Sequence, residues 1–221
     1  MNLGTRIASW WQSRQASWDD DRWLVLDVEA SGLDAAHDRL LAIAAIAVRF
    51  NAGRAWIAPG DSFEVVLKQA DDAARPDKAN ILLHGIGVGA QRAGVEPPEA
   101  MAAFAAFAGR SPLVAFHAAF DRTLIERGFR ATLGATPANP WLDLEPLAAV
   151  LHPDVKARAL DEWMAHFGIT CAVRHQAAAD TLATAELLLM LWPRLATQLR
   201  ERSFRAVSRL AAQRRWVQQN A

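Results

Sequence analysis

Two acids stand inside an apolar strand. Residues 22–28 read Arg22-Trp23-Leu24-Val25-Leu26-Asp27-Val28, and Glu29-Ala30-Ser31-Gly32-Leu33-Asp34 follow. Leu24, Val25, Leu26 and Val28 are the side chains of a buried strand. Successive side chains of a strand point to opposite faces, so Asp27 and Glu29 share one face. Both sit where the strand enters a turn at Gly32. Two carboxylates a few ångströms apart repel by roughly 4 kcal/mol at an effective dielectric near 20. A shared proton or a bound cation has to offset that. Taken alone, a D-x-E at a strand end is more often a pair of solvated surface acids, so the rest of the chain decides.

The apolar run Leu40–Phe50 ends in the turn residues Asn51-Ala52-Gly53, and Arg54–Ile57 and Phe63–Leu67 read as further strands. With the first strand they form an antiparallel meander. Residues 70–98 are loop-rich, with one short helix near 78–83. Pro97-Pro98-Glu99 opens a helix to about Phe107, proline being tolerated in a first turn. Pro112–Phe116 is a short buried strand, Asp121–Phe129 a helix, and Trp141–Leu144 a strand leading into a helix to Leu151. A further helix starts at Leu160 with Asp161 as its cap and ends at Gly168. Thr181–Leu191 is strongly helical, and a last helix follows from Pro193. Residues 5–18, with Ile7, Trp10, Trp11 and Trp18, read as a short amphipathic helix. A meander followed by interleaved helices predicts an α/β fold, a mixed sheet with helices on both faces. The expected organisation is an N-terminal extension over 1–21, a main domain over 22–192 and a basic C-terminal helix over 193–221.

Composition narrows the function classes. The 221 residues suit one domain with a full core. Basic and acidic residues balance at 24 each, so any nucleic-acid contact has to come from a local patch. The single cysteine, Cys171, excludes an intramolecular disulfide and a cysteine-rich zinc site, and suits a reducing, cytoplasmic setting. No run is long and apolar enough for a membrane span, and the first residues lack a signal-peptide pattern. The closing segment carries Arg194, Arg200, Arg202, Arg205, Arg209, Arg214 and Arg215 against Glu201. A solvated face is its first reading, and a phosphate- or partner-contacting helix its second.

Two more acids complete a pattern. Asp121 follows the strand 112–116 in His117-Ala118-Ala119-Phe120-Asp121, at a strand's carboxyl end, where sites of α/β sheets gather. Asp180 lies in His175-Gln176-Ala177-Ala178-Ala179-Asp180, on a helix that otherwise reads as core, where a carboxylate is costly unless paired or metal-bound. Five residues on a helix turn through about 140°, so His175 belongs in the preceding loop or first turn, facing the same site from another direction.

The order D-x-E, then Asp121, then H-x-x-x-x-D resembles the DnaQ-like 3′–5′ exonucleases, in the subgroup named for four acids and a histidine. The resemblance runs from about Trp23 to Leu191 and includes Ile81–Ile86, Leu113–His117, Leu160–Trp163, Phe167–Ile169 and Ala183–Ala185. It implies a ribonuclease H-like, five-stranded mixed sheet. It implies that Asp27, Glu29, Asp121 and Asp180 bind two divalent ions, Mg²⁺ or Mn²⁺, and that His175 is the general base. It places Ala30, Ser31, Gly32 and Leu33 beside the terminal nucleotide, and His84 on the strand channel. The family's first motif commonly carries two hydroxyl residues after the Glu; here Ala30 replaces one. The implied activity is hydrolysis at the 3′ end of single-stranded DNA, with a DNA polymerase or a second copy as partner. An RNA exonuclease of the oligoribonuclease or RNase T type uses the same five residues. A non-catalytic nucleic-acid or polymerase-binding module is the alternative from another class, and the intact set of acids argues against it.

Overall fold

Strand β1 (Arg22–Ala30) pairs antiparallel with β2 (Leu40–Asn51), which pairs antiparallel with β3 (Arg54–Val66). On its other side β1 runs parallel to β4 (Leu113–Ala115), and β4 parallel to β5 (Trp141–Asp143). The result is one five-stranded mixed sheet in the order β3-β2-β1-β4-β5. The computed structural model describes residues 18–70 and 78–219. The helix expected over 5–18 lies outside them, apart from Trp18.

The parity of β1 sets the architecture. Trp23 and Val25 face one side and join a core with the helices α5 (Leu144–Leu151), α6 (Leu160–Phe167), α7 (Ala177–Gln198) and α8 (Phe204–Gln219). Leu24, Leu26 and Val28 face the other side and join α3 (Pro97–Ala108) and α4 (Ala119–Leu133). Both faces are therefore covered, which is why β1 reads as a nearly unbroken apolar run. The same parity sends Asp27 and Glu29 to the side covered by α7.

Several boundaries differ from the sequence reading. The segments 54–57 and 63–67 are one strand. Its register jumps from Ala47↔Ala58 to Ile46↔Ser62, leaving Pro59, Gly60 and Asp61 out of the ladder. Asp61 is drawn out by Arg22, at 2.7 and 2.9 Å, and by Arg49, at 2.6 and 3.1 Å. A second short helix, α2 (Val88–Ala93), follows α1 (Lys78–His84) in the region expected as loop. The long helix does not stop at Pro193. It runs to Gln198, because Trp192 and Leu195 on its buried face hold it to the core. Trp192 lies 4.5 Å from Phe50 and 5.9 Å from Trp23 between ring centroids, and its indole N–H donates to the Gly53 carbonyl at 3.2 Å. Asp161 is not a cap. The first N–H groups around α6 go to the Glu162 carboxylate, from Arg158 at 2.6 Å and Ala159 at 2.9 Å. Helix α8 buries Phe204, Val207, Leu210 and Ala211 against the core. No helix among the described residues is long and apolar enough to cross a membrane.

Candidate active site

The carboxyl end of β1, the first turn of α4 and the first turn of α7 meet at one end of the sheet. Asp27 and Glu29 project from β1 toward α7. Asp180 is buried in the first turn of α7, and the Thr181 hydroxyl beside it donates to the Ala44 carbonyl of β2 at 3.3 Å, which seats that turn on the sheet. Asp121 is buried in the first turn of α4 and comes over the strand end. Its Oδ1 accepts the Val28 N–H at 3.1 Å.

The acids feel one another. Burial holds the Asp27 carboxyl well above its ordinary range, and the negative charges of Asp121, Glu29 and Asp180 push it further. Glu29 is raised from 4.5 to about 7 by burial and by Asp180, against a hydrogen bond from Ala177 and the charge of Arg174. Asp121 is pushed up to about 8 by burial, with Asp143 and Glu29 adding to it. The four acids singled out by the motifs thus share one electrostatic site. The cation acting on Asp27 and Glu29 is the Arg174 guanidinium, which also forms an ion pair with Asp180 and another with Asp161. Among the described residues no three acids, histidines or cysteines are closed around a common point as they stand, Arg174 taking one oxygen of Asp180. The donor set nonetheless suits a hard divalent cation, since it is all carboxylate and carries more negative charge than one guanidinium offsets.

His175 lies in the loop before α7, as its spacing requires. Its backbone is left-handed, with φ of 62°, and its N–H donates to Asp180 Oδ2 at 3.1 Å. The residue is exposed. His117 also takes positive φ, 57°, and its N–H donates to Asp143 Oδ1 at 3.0 Å. Asp143 is the N-cap of α5 and accepts the Glu145 N–H at 3.2 Å.

The turn after β1 is tightly tied. The Ser31 hydroxyl donates to Asp38 at 2.7 Å and accepts the Arg39 N–H at 3.0 Å, and Asn80 of α1 donates to the Ser31 carbonyl. At Gly32 an added Cβ would stand 2.5 Å from the Asp38 carboxylate, so a side chain there would push Asp38 off its bond to Ser31. Leu33 at the tip is 92% exposed and is no core leucine. His84 closes α1. It is buried, and its Nδ1 accepts the Ile86 N–H at 3.0 Å. Sequence reasoning passed over Arg174, Asn80 and Asp38. Arg174 stands directly before His175, but adjacency in a loop says nothing of the acids it will meet.

The sequence profile of a family described as Exonuclease matches residues 24–188. The chain belongs to the exonuclease family. Its DnaQ-like character agrees with two relatives. A DNA polymerase III PolC-type protein of Clostridium perfringens is 30% identical over 169 residues, 76% of this chain and 11% of its own length. A DNA polymerase III subunit epsilon-like protein of Rhodobacter capsulatus is 33% identical over 177 residues, 78% of this chain and 24% of its own length. This exonuclease-family chain therefore matches only about a tenth to a quarter of the length of those curated relatives. Among solved structures, exonuclease I of E. coli in complex with a dT13 oligonucleotide superposes with a TM-score of 0.67 at 22% identity. The match covers 80% of this chain and 43% of that one. The sheet and its flanking helices are thus of the ribonuclease H-like fold.

Proposed function

We propose that the chain is a metal-dependent 3′–5′ exonuclease that hydrolyses phosphodiester bonds at the 3′ end of single-stranded DNA. The observation that carries the reading is the convergence of Asp27, Glu29, Asp121 and Asp180 on one electrostatic site in an exonuclease-family chain. These four would hold two Mg²⁺ or Mn²⁺ ions, whose role when bound is to stabilise charge on the attacking and leaving oxygens. His175, whose backbone N–H is tied to Asp180, would be the general base that accepts a proton from the attacking water. Ala30, Ser31 and Gly32 form the wall beside the terminal nucleotide, and exposed Leu33 offers an apolar face to its base. Single-stranded DNA is favoured because the exonuclease I structures include complexes with dT13 and dA16. A polymerase partner is proposed from the polymerase III names of the relatives.

The test is hydrolysis of matched 5′-labelled single-stranded DNA and RNA with Mn²⁺ or Mg²⁺, beside Asp27→Ala and Asp180→Ala. Stepwise 3′ shortening that needs the metal and both acids is expected, with DNA cut faster. RNA cut faster would move the assignment to the RNA exonucleases. Full activity in either variant would refute the metal assignment.

A further inference from the structure

Among the described residues, the hydrogen-bond and ion-pair partners of the Asp180 carboxylate come from the short loop between α6 and α7. Oδ1 meets the Arg174 guanidinium and, at 3.6 Å, the Cys171 thiol. Oδ2 accepts the His175 N–H at 3.1 Å. Arg174 has a second hold. Its Nε donates to Asp161 on α6, whose side chain is 61% exposed, whereas that of Asp180 is 9% exposed. The guanidinium is therefore strung between an outer acid at the protein surface and an inner acid of the cluster. Burial works against its charge, but Asp161 and Asp180 more than reverse that and keep it firmly protonated.

We infer that Arg174 is a displaceable counter-ion of the acid cluster, which occupies Asp180 in the metal-free protein and swings out on Asp161 when a divalent cation enters. The inference rests on the two-metal reading above and adds a device to it. A guanidinium held against Asp180 repels a dication that binds the same carboxylate, and the two compete for its charge. Asp161 supplies the pivot. Its contact is with Nε, closer to the backbone than the Nη1 that touches Asp180, so the outer contact survives while the inner one breaks. Arg174 and His175 are neighbours in sequence, and both are tied to Asp180. Entry of the metal therefore reaches the proposed proton acceptor through the loop, and Arg174 becomes a positioning residue for it. An arginine with only a structural role would leave metal affinity alone.

The experiment is calorimetric titration of Mn²⁺ into the metal-free full chain, for the natural protein, Arg174→Gln and Arg174→Lys. Arg174→Gln is expected to bind Mn²⁺ tighter by about tenfold, within the range that couplings between two bound groups reach. It should also melt below the natural protein in EDTA at pH 8, because the acids lose their counter-ion. Arg174→Lys keeps the charge but lacks the fork that spans Asp161 and Asp180, so its Mn²⁺ affinity should fall between the two. If Arg174→Gln fails to fold, the lysine variant carries the comparison. Unchanged or weaker Mn²⁺ binding in a folded variant would overturn the proposal while leaving the two-metal reading standing. No Mn²⁺ binding by the natural protein would overturn both.

Discussion

Replacing Glu29 by Gln should stabilise the metal-free protein at alkaline pH, and the size of the gain follows from the site. Glu29 is half-buried beside Asp180, and its carboxyl titrates at about 7 instead of 4.5. Between those values the native state holds a proton that the unfolded chain has released. Stability is thus full below pH 4.5 and is lost as pH rises through 7. A displacement of that size corresponds to about 3 kcal/mol, and solvent screening of a part-exposed carboxylate brings it to about half. Gln keeps an acceptor for the Ala177 N–H and removes the charge. Glu29→Gln should therefore be more stable by about 1.5 kcal/mol at pH 8, which is roughly 3–6 °C in melting temperature for a chain of this size.

The assay is thermal melting in EDTA at pH 5 and pH 8. At pH 5 the gain should nearly vanish, since Glu29 is then protonated in the native protein. Saturating Mn²⁺ should reverse the order at pH 8, because the natural protein gains more from binding. A variant that melts lower than the natural protein in EDTA at pH 8, or by the same margin at both pH values, would refute the reasoning that the cluster is frustrated by its own charge.

Two other outcomes follow from close contacts. Gly94→Ala places a Cβ 2.7 Å from the backbone of Leu67 and Lys68, where nothing can give way cheaply. It should cost about 1–3 kcal/mol in urea unfolding. Asn80→Ala removes the donor that ties α1 to the Ser31 carbonyl. A lost hydrogen bond of about 1 kcal/mol should raise KM for single-stranded DNA about fivefold while kcat stays within twofold.

The parts of the fold legible in the sequence are those where periodicity has a single reading. The nearly apolar run from Trp23 to Val28 reads as a buried strand, and the shared face of Asp27 and Glu29 follows from its alternation. The parts that escaped depend on distant partners. Nothing in Val88-Gly89-Ala90-Gln91-Arg92-Ala93 has a helical stripe. The helix is held by buried Gln91, whose side chain donates to the Ile86 carbonyl at 3.0 Å and whose own carbonyl accepts the Gln69 N–H at 2.9 Å. Proline at 193 reads as a stop because it removes a hydrogen bond, yet Trp192 and Leu195 on either side hold the helix to the core beyond it.

The site divides in the same way, and two aspartates make the division plain. Asp143 and Asp161 look alike in sequence, each at the start of a helix. Asp143 does cap, because its partner, the Glu145 N–H, is two residues on and needs no tertiary structure. Asp161 has its capping role taken by Glu162, and its own partner is thirteen residues away across a loop. Helix caps are local and so are visible in a short window, whereas an ion pair across a loop exists only once the loop closes. The four acids that meet in the structure, and His175 tied to one of them, could be named from spacing and resemblance because each stands in a short motif of its own. Arg174 could not, since its part is defined by Asp161 and Asp180 together and by the charge that the other acids leave uncompensated. The residue that governs how the site is loaded is therefore the one that no short motif contains.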